Sequence, residues 1–476
     1  MHLLGRYREF RTSGVAVERA IEQAWDRTGP PCLTAALTSA AGFVALAAAD
    51  FRGFSQLGWL LAIGLLVCLA LMLTTLPLLL AALDRNPTQL LGAQPDAGKE
   101  SNSSYRLAPV GLGVAAILTV ILGLWVSPLL SWEYDFSALR RDGLAYAELS
   151  EVERQLARES YSPVIVSLPD RATLEAAQQR ADTAIAEGRL PHVKQAVSLA
   201  SVLPPDQQAR VEAITALKKT LSNPNLRYLP PELVKNLLPL KDVDPKVMSD
   251  SDLPAPVGDV LGVGHHRLLL FPQGNMWDLR EAAKLKSELE RVFPDEPVAG
   301  EYVALGSLFE VVQRDMPWVA AFALLFVTIL TALDLRRAHW VAGALFTLLG
   351  GITWAAAATH VAGVKLSVIN VVGVPILLGI GVDMVIHLLH RLREEGPGGV
   401  RRALATTGVA ALLSTLTTVL SFASLTLAGN RGVRSLGLLV VIGLIAVFTA
   451  TATLLPLAWS AGWRVTGRAP ADQPTR

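Results

Sequence analysis

The chain has 476 residues, 51% of them hydrophobic and 17% charged, with a mean hydropathy of +0.41, a balance that excludes an ordinary soluble enzyme and points to a large membrane protein. The net charge of +1 hides a division: residues 131–316 carry 21 Lys/Arg against 28 Asp/Glu, and the remainder 21 against 13. The basic part is therefore the apolar part, which excludes a nucleic-acid-binding face.

In chain order, residues 1–30 read as a cytoplasmic amphipathic segment. Val17, Ile21, Ala24 and Trp25 share one side, as in a helix lying on the membrane surface. Eight apolar runs follow, each about long enough to cross a ~30 Å hydrocarbon core: A 31–49, B 57–82, C 107–130, D 317–335, E 338–360, F 366–390, G 404–428 and H 434–460. Residues 31–82 hold the first pair, 83–106 form a cytoplasmic linker, 317–460 hold the last five, and 461–476 form a tail. The first segment, the B–C, D–E and F–G connections and the tail carry seventeen Lys/Arg, against four in the A–B, E–F and G–H loops. The excess of positive charge predicts that both termini are cytoplasmic and that 131–316 lies outside. The aromatic residues Trp125, Trp132, Tyr134 and Trp318 then fall near the outer interface.

The outer segment reads as a folded α/β domain. Tyr161–Leu168, Val193–Leu199 and Arg267–Phe271 have strand patterns, and Thr173–Ala186 and Trp277–Val292 have helical apolar spacing. Leu203–Asp252 is Pro-rich and reads as a helical insertion. No close set of carboxylates, or of Ser, His and Asp, marks an enzyme. His265–His266 lacks a third ligand at metal spacing, and Cys32 and Cys68 both sit in apolar runs, so neither a metal nor another cofactor is expected.

Comparing the chain with itself exposes a repeat. His2-Leu3-Leu4-Gly5-Arg6-Tyr7-Arg8-Glu9 matches His387-Leu388-Leu389-His390-Arg391-Leu392-Arg393-Glu394. Arg52-Gly53-Phe54-Ser55-Gln56-Leu57-Gly58 matches Arg431-Gly432-Val433-Arg434-Ser435-Leu436-Gly437, and Pro77 matches Pro456. Runs A and B thus repeat G and H. A second unit starting at C has one span, a large outer domain and five more spans. The expectation is that the first unit lacks four spans and its outer domain, and that a second copy or the missing N-terminal half completes the assembly.

This layout resembles the RND superfamily, and within it the MMPL-type branch of lipid and hopanoid-type exporters. The most specific element is Gly379-Ile380-Gly381-Val382-Asp383-Met384-Val385-Ile386-His387, which is similar to the family's Gly-rich, aspartate-bearing relay helix, with Met384 where the family usually has an aromatic residue. The resemblance implies an α-helical polytopic protein of the bacterial inner membrane with a porter-like outer domain. It also implies export of lipid or other hydrophobic molecules driven by the proton-motive force. Membrane lipids, a hydrophobic substrate and protons are then its partners. The alternatives are a sterol-sensing-like or protein-translocation accessory protein, or a non-functional truncation.

The residues support a proton relay on their own terms. Asp383 lies eight positions before Arg391, hence ~12 Å inside the membrane, where a carboxylate costs ~2.5–3.5 kcal/mol unless protonated or partnered. His387, one turn away on the same face, is a candidate for passing protons to it, with headgroup contact as the other reading. His390, a step further, reads as a headgroup-level histidine. Ser414, Thr418 and Ser421 form a hydroxyl stripe on run G, suited to hydrogen-bond a carboxyl group or simply to pack helices. Gly373, Pro375, Gly379 and Gly381 predict close packing and a kink in run F.

Overall fold

The computed structural model describes residues 2–84, 108–129, 131–139, 162–203, 206–221, 244–249, 252–262, 265–396 and 398–466. It divides into two compact units, one holding the apolar helices and one the α/β domain. Most of the 83–106 linker, of the 461–476 tail and of the 203–252 insertion lies outside the described residues.

In the first unit, α1 (His2–Thr12), α2 (Val17–Ala47), α3 (Arg52–Leu83) and α4 (Ala108–Val126) come first. Among the described residues eight helices are long and apolar enough to cross a membrane. Run A corrects the sequence reading. Val17–Ala47 is one continuous helix through Pro30 and Pro31, so residues 17–30 form no separate surface helix. The chain turns back at Gly14 (φ +82°), a left-handed backbone that suits glycine. Leu3 and Tyr7 of α1 then pack on Ala20 and Ala24 of α2, with Leu76 and Leu80 of α3 alongside.

Asp84, just past α3, fixes that corner. It accepts hydrogen bonds from the Tyr7 hydroxyl and from Arg11 Nε (2.7 Å). Its side chain is 4% exposed, covered at the rim of the bundle by its two partners. The Arg11 guanidinium, then the Tyr7 hydroxyl, hold the carboxyl below its ordinary value of 3.8. Burial and the bond to Asp84 push the Tyr7 phenol up to about 12. A depressed carboxyl contributes stability above the unfolded-state value, and that contribution is lost as pH falls through the folded-state value. Asp84→Asn should therefore cost about 1–2 kcal/mol at neutral pH, and the difference from wild type should close below about pH 4. Thermal melts of the detergent-solubilised pair across pH check this. A gap that persists at acid pH contradicts it.

The second unit is a four-stranded sheet covered by helices. β1 (Val164–Ser167), β2 (Val193–Ser198), β3 (Arg267–Pro272) and β4 (Val298–Ala299) lie in the order β2-β3-β1-β4, all antiparallel, with Val164 opposite Leu270. Alternation buries Val164 and Val166 on the face covered by α5 (Arg171–Ala186) and α7 (Leu279–Val292). An Asp170–Thr173 capping box starts α5, and the Asp278 carboxylate caps α7. Of the 203–252 insertion, α6 (Gln207–Leu221) is helical, whereas the described residues 244–249 are not.

The last five membrane helices are α8 (Glu301–Leu335), α9 (Ala338–Val361), α10 (Gly373–Glu395), α11 (Val409–Ala423) and α12 (Arg431–Thr466). A π-helical turn, Leu404–Gly408, leads into α11. Of the spans, α10 is the most enclosed, whereas α3 and α11 are largely uncovered.

Run F also departs from expectation. Residues 366–372 are not α-helical: Ser367 and Asn370 exchange side-chain-to-backbone hydrogen bonds (2.8 and 3.2 Å) and lead through a 3₁₀ turn into α10. Pro375 falls in the first turn of α10, where its missing N–H costs no helical hydrogen bond, so it starts the helix rather than kinking it.

Two glycines that match in the sequence make the same kind of contact. A Cβ on Gly58 would lie 2.6 Å from the Phe43 carbonyl oxygen, and one on Gly437 2.8 Å from that of Phe422. Phe43 and Phe422 have the same sequence offset as Gly58 and Gly437, so the α2–α3 joint recurs between α11 and α12.

Candidate functional site

The site is built along α10, whose small residues let other helices come close. A Cβ on Gly379 would lie 3.1 Å from the Ser39 carbonyl oxygen, and one on Gly42 2.9 Å from Gly379 Cα. The two backbones are in contact, and Ser39 Oγ donates to the Gly379 carbonyl at 2.7 Å. Gly373 and Gly381 face Leu439 and Val447 of α12 at similarly short range.

One turn beyond Gly379 stands Asp383. Its side chain is 38% accessible, although it lies deep in the span, because it opens into a small chamber of about 40 Å³. Met384, Ser414, Thr418 and Phe448 also line that chamber, so an aromatic from α12 stands close to Met384. Ser421 does not reach it. The Thr418 and Ser421 hydroxyls bond back to carbonyls of their own helix, Ser414 and Thr417, at 3.0 and 2.9 Å. Among the described residues no hydroxyl of this stripe bonds Asp383; its close partner is His387.

His387 Nε2 lies 3.2 Å from Asp383 Oδ1, within reach of a charge-assisted hydrogen bond. On its other side the His387 ring stacks on His2, with centroids 3.9 Å apart and planes 12° off parallel. His390 has a protein partner as well: its Nε2 is 2.6 Å from Asp334 of α8, which also accepts from Thr34 at 3.2 Å. Two histidines of α10 therefore each meet an acid, Asp383 on the same helix and Asp334 on α8. The second escaped the sequence reading because Asp334 sits beside Arg336 and Arg337, where a charge looks like an ordinary helix end.

At the Arg-rich end of α10 the repeat-related charges meet. Arg6 pairs with Glu9 of its own helix (2.8 Å) and with Glu394. Arg391, 5% exposed, pairs with Glu394 of its own helix (3.4 Å) and with Glu9 (2.8 Å). These four residues, His2 and His387 all line a larger cavity of about 560 Å³. Among the described residues no group of three His, Cys, Asp or Glu is placed to hold a metal ion.

Eight membrane-length helices around a titratable pair, with one small sheet unit, make this an α-helical polytopic membrane protein. It belongs to the MMPL family, which it matches over residues 1–100 and 297–473. The hopanoid transporter HpnN of Rhodopseudomonas palustris is 24% identical over 95% of this chain, and that of Burkholderia multivorans is also 24% identical over 95%. The chain spans 58% of the length of each. The crystal structure of SecDF, a translocon-associated membrane protein from Thermus thermophilus, is similar over 98% of this chain and 52% of its own, with a TM-score of 0.54 at 14% identity, a likeness of fold.

Proposed function

We propose that this chain is the coupling part of a proton-driven exporter of lipid-like, hopanoid-type molecules in a bacterial inner membrane, with Asp383 as the group that takes up and releases the proton. The observation that carries the reading is a carboxylate deep in a span that is not packed away. It has its own chamber and one histidine partner. Each proton crossing the membrane potential supplies ~2.3 kcal/mol per 100 mV, and a site reached alternately from the two sides can spend that on moving substrate. The excess of Arg at one end of the bundle supports placing that end in the cytoplasm and the sheet unit outside.

A second copy or a companion half completes the assembly in this reading. Ser421, the counterpart of Gly42 in the repeat, is exposed on α11 where Gly42 is covered by α10. The test is transport in membrane vesicles. An imposed pH gradient of the right direction should drive a labelled hopanoid or similar amphiphile across, and a protonophore should stop it. Movement of a secreted polypeptide with no movement of lipid would favour the translocation-accessory reading instead.

A further inference from the structure

The ionic contacts at the Arg-rich end are reciprocal. Arg6 and Glu9 of α1 stand at the same places in the repeat as Arg391 and Glu394 of α10. Each arginine pairs with the glutamate three residues on in its own helix, and each also pairs with the other helix's glutamate. The result is a closed ring of four charges about a local two-fold axis. His2 and His387, equivalent in the same way, stack beside it.

Such a ring has an unusual cost of opening. Removing one partner of a buried ion pair strands the other charge, which is strongly destabilising. Moving α1 away from α10 strands nothing: Arg6 keeps Glu9, and Arg391 keeps Glu394 and also Glu395 at 2.8 Å. Only the two cross-helix pairs and the long Arg402–Glu9 contact (3.9 Å) are given up, and Arg402 keeps Glu395 at 3.8 Å. The contact can therefore break and re-form without an unpaired charge at any stage, as a two-state element requires.

What lies behind the ring gives that motion a consequence. The 560 Å³ cavity and the 40 Å³ chamber at Asp383 are separate, and His2 is the only described residue that lines both. Withdrawing α1 takes His2 off His387 and removes the partition. We propose that the Arg6–Glu9–Arg391–Glu394 ring is the latch of a gate between the cytoplasmic cavity and the Asp383 chamber, with His2 as the gate leaf. These are positioning residues; they act through access to Asp383. The proposal rests on the reading of Asp383 as the proton site.

The test leaves transport aside. Ser414, which lines the chamber and not the larger cavity, is replaced by cysteine in a Cys32→Ser, Cys68→Ser background. Its reaction with a small charged methanethiosulfonate, added from the Arg-rich face, is timed without substrate or gradient. The double variant R6E/E9R keeps the helix's own pair and net charge but turns both cross-helix attractions into repulsions. Modification should speed up about tenfold, which corresponds to ~1.4 kcal/mol removed from the closed state. Adding R391E and E394R restores the ring in mirror form and should recover part of the slow rate. Recovery is partial because Arg27 on Glu394 (2.7 Å), Glu395 on Arg391 (2.8 Å) and Arg402 near Glu9 (3.9 Å) are unchanged. If R6E/E9R does not insert, E394Q, which weakens one cross-helix pair, should show a smaller acceleration. Equal rates in all folded variants, or a quadruple variant no slower than the double, overturn the latch. A ring that merely braces the bundle would lower melting temperature without changing the rate. Because no transport is measured, failure of the gate and failure of the proton-site reading remain distinguishable.

Discussion

Asp383→Asn protein should insert in normal amount, melt at the wild-type temperature, and move substrate under a pH gradient at a rate lower by roughly two orders of magnitude, the loss expected when a proton-transferring group is removed. The physical reason is that asparagine keeps the size and accepting oxygen of the carboxylate, so the 3.2 Å contact with His387 can persist, while the titratable proton is gone. Insertion should if anything be easier, because a neutral amide costs less in hydrocarbon than a carboxylate. His387→Gln should slow transport less and shift its pH dependence, since water from the large cavity can replace a relay on that side. Quantitative transport with matched protein amounts, alongside melts of each variant, makes the comparison. Asp383→Asn at wild-type rate would remove the residue from the mechanism, and a pure packing role would tolerate asparagine while failing with bulkier residues.

Gly42→Ala carries a large expected loss of stability. Its new Cβ would sit 2.9 Å from Gly379 Cα and 3.3 Å from Gly379 N, and neither backbone atom can swing away as a side chain would. The helices α2 and α10 must separate, at about 1–3 kcal/mol for an overpacked contact, and the Ser39 hydrogen bond to Gly379 goes with them, worth about 0.6–1 kcal/mol. Transport falls too, because Asp383 is one turn from the displaced contact. Ser421→Ala, the repeat-equivalent position on exposed α11, is the control and should be nearly silent. Thermal unfolding in detergent gives the comparison, and equal costs at the two positions would contradict the packing account.

Hydrophobic length made the spans legible, because eight runs of that size have no place in a soluble fold. The sheet strands were legible through alternation, as in the Val164 and Val166 pair, but β4 was not: two residues carry no period. Pro375 misled because a proline reads as a break until the start of its helix is known. The sequence named Asp383 and His387 through spacing within one helix. It could not show His2 stacking on His387, Asp334 reaching His390 or Ser39 holding Gly379, since each of these contacts joins two different helices, from 56 to several hundred positions apart. The repeat held the missing signal: the offset that equates Gly58 with Gly437 also equates Ser39 with Thr418, and so marks the inner face of α2.

The joint between Gly58 and the Phe43 carbonyl, and its duplicate between Gly437 and that of Phe422, place one backbone contact in two surroundings. At the first the glycine stands on α3, which is largely uncovered, against the half-covered α2; at the second it stands on the half-covered α12, against the largely uncovered α11. The same small substitution made at each joint therefore measures one steric event with the glycine on the uncovered helix and then on the covered one. The two joints give the molecule an internal standard, by which the share of helix-pair strength supplied by the surrounding bundle can be weighed without reference to any other protein.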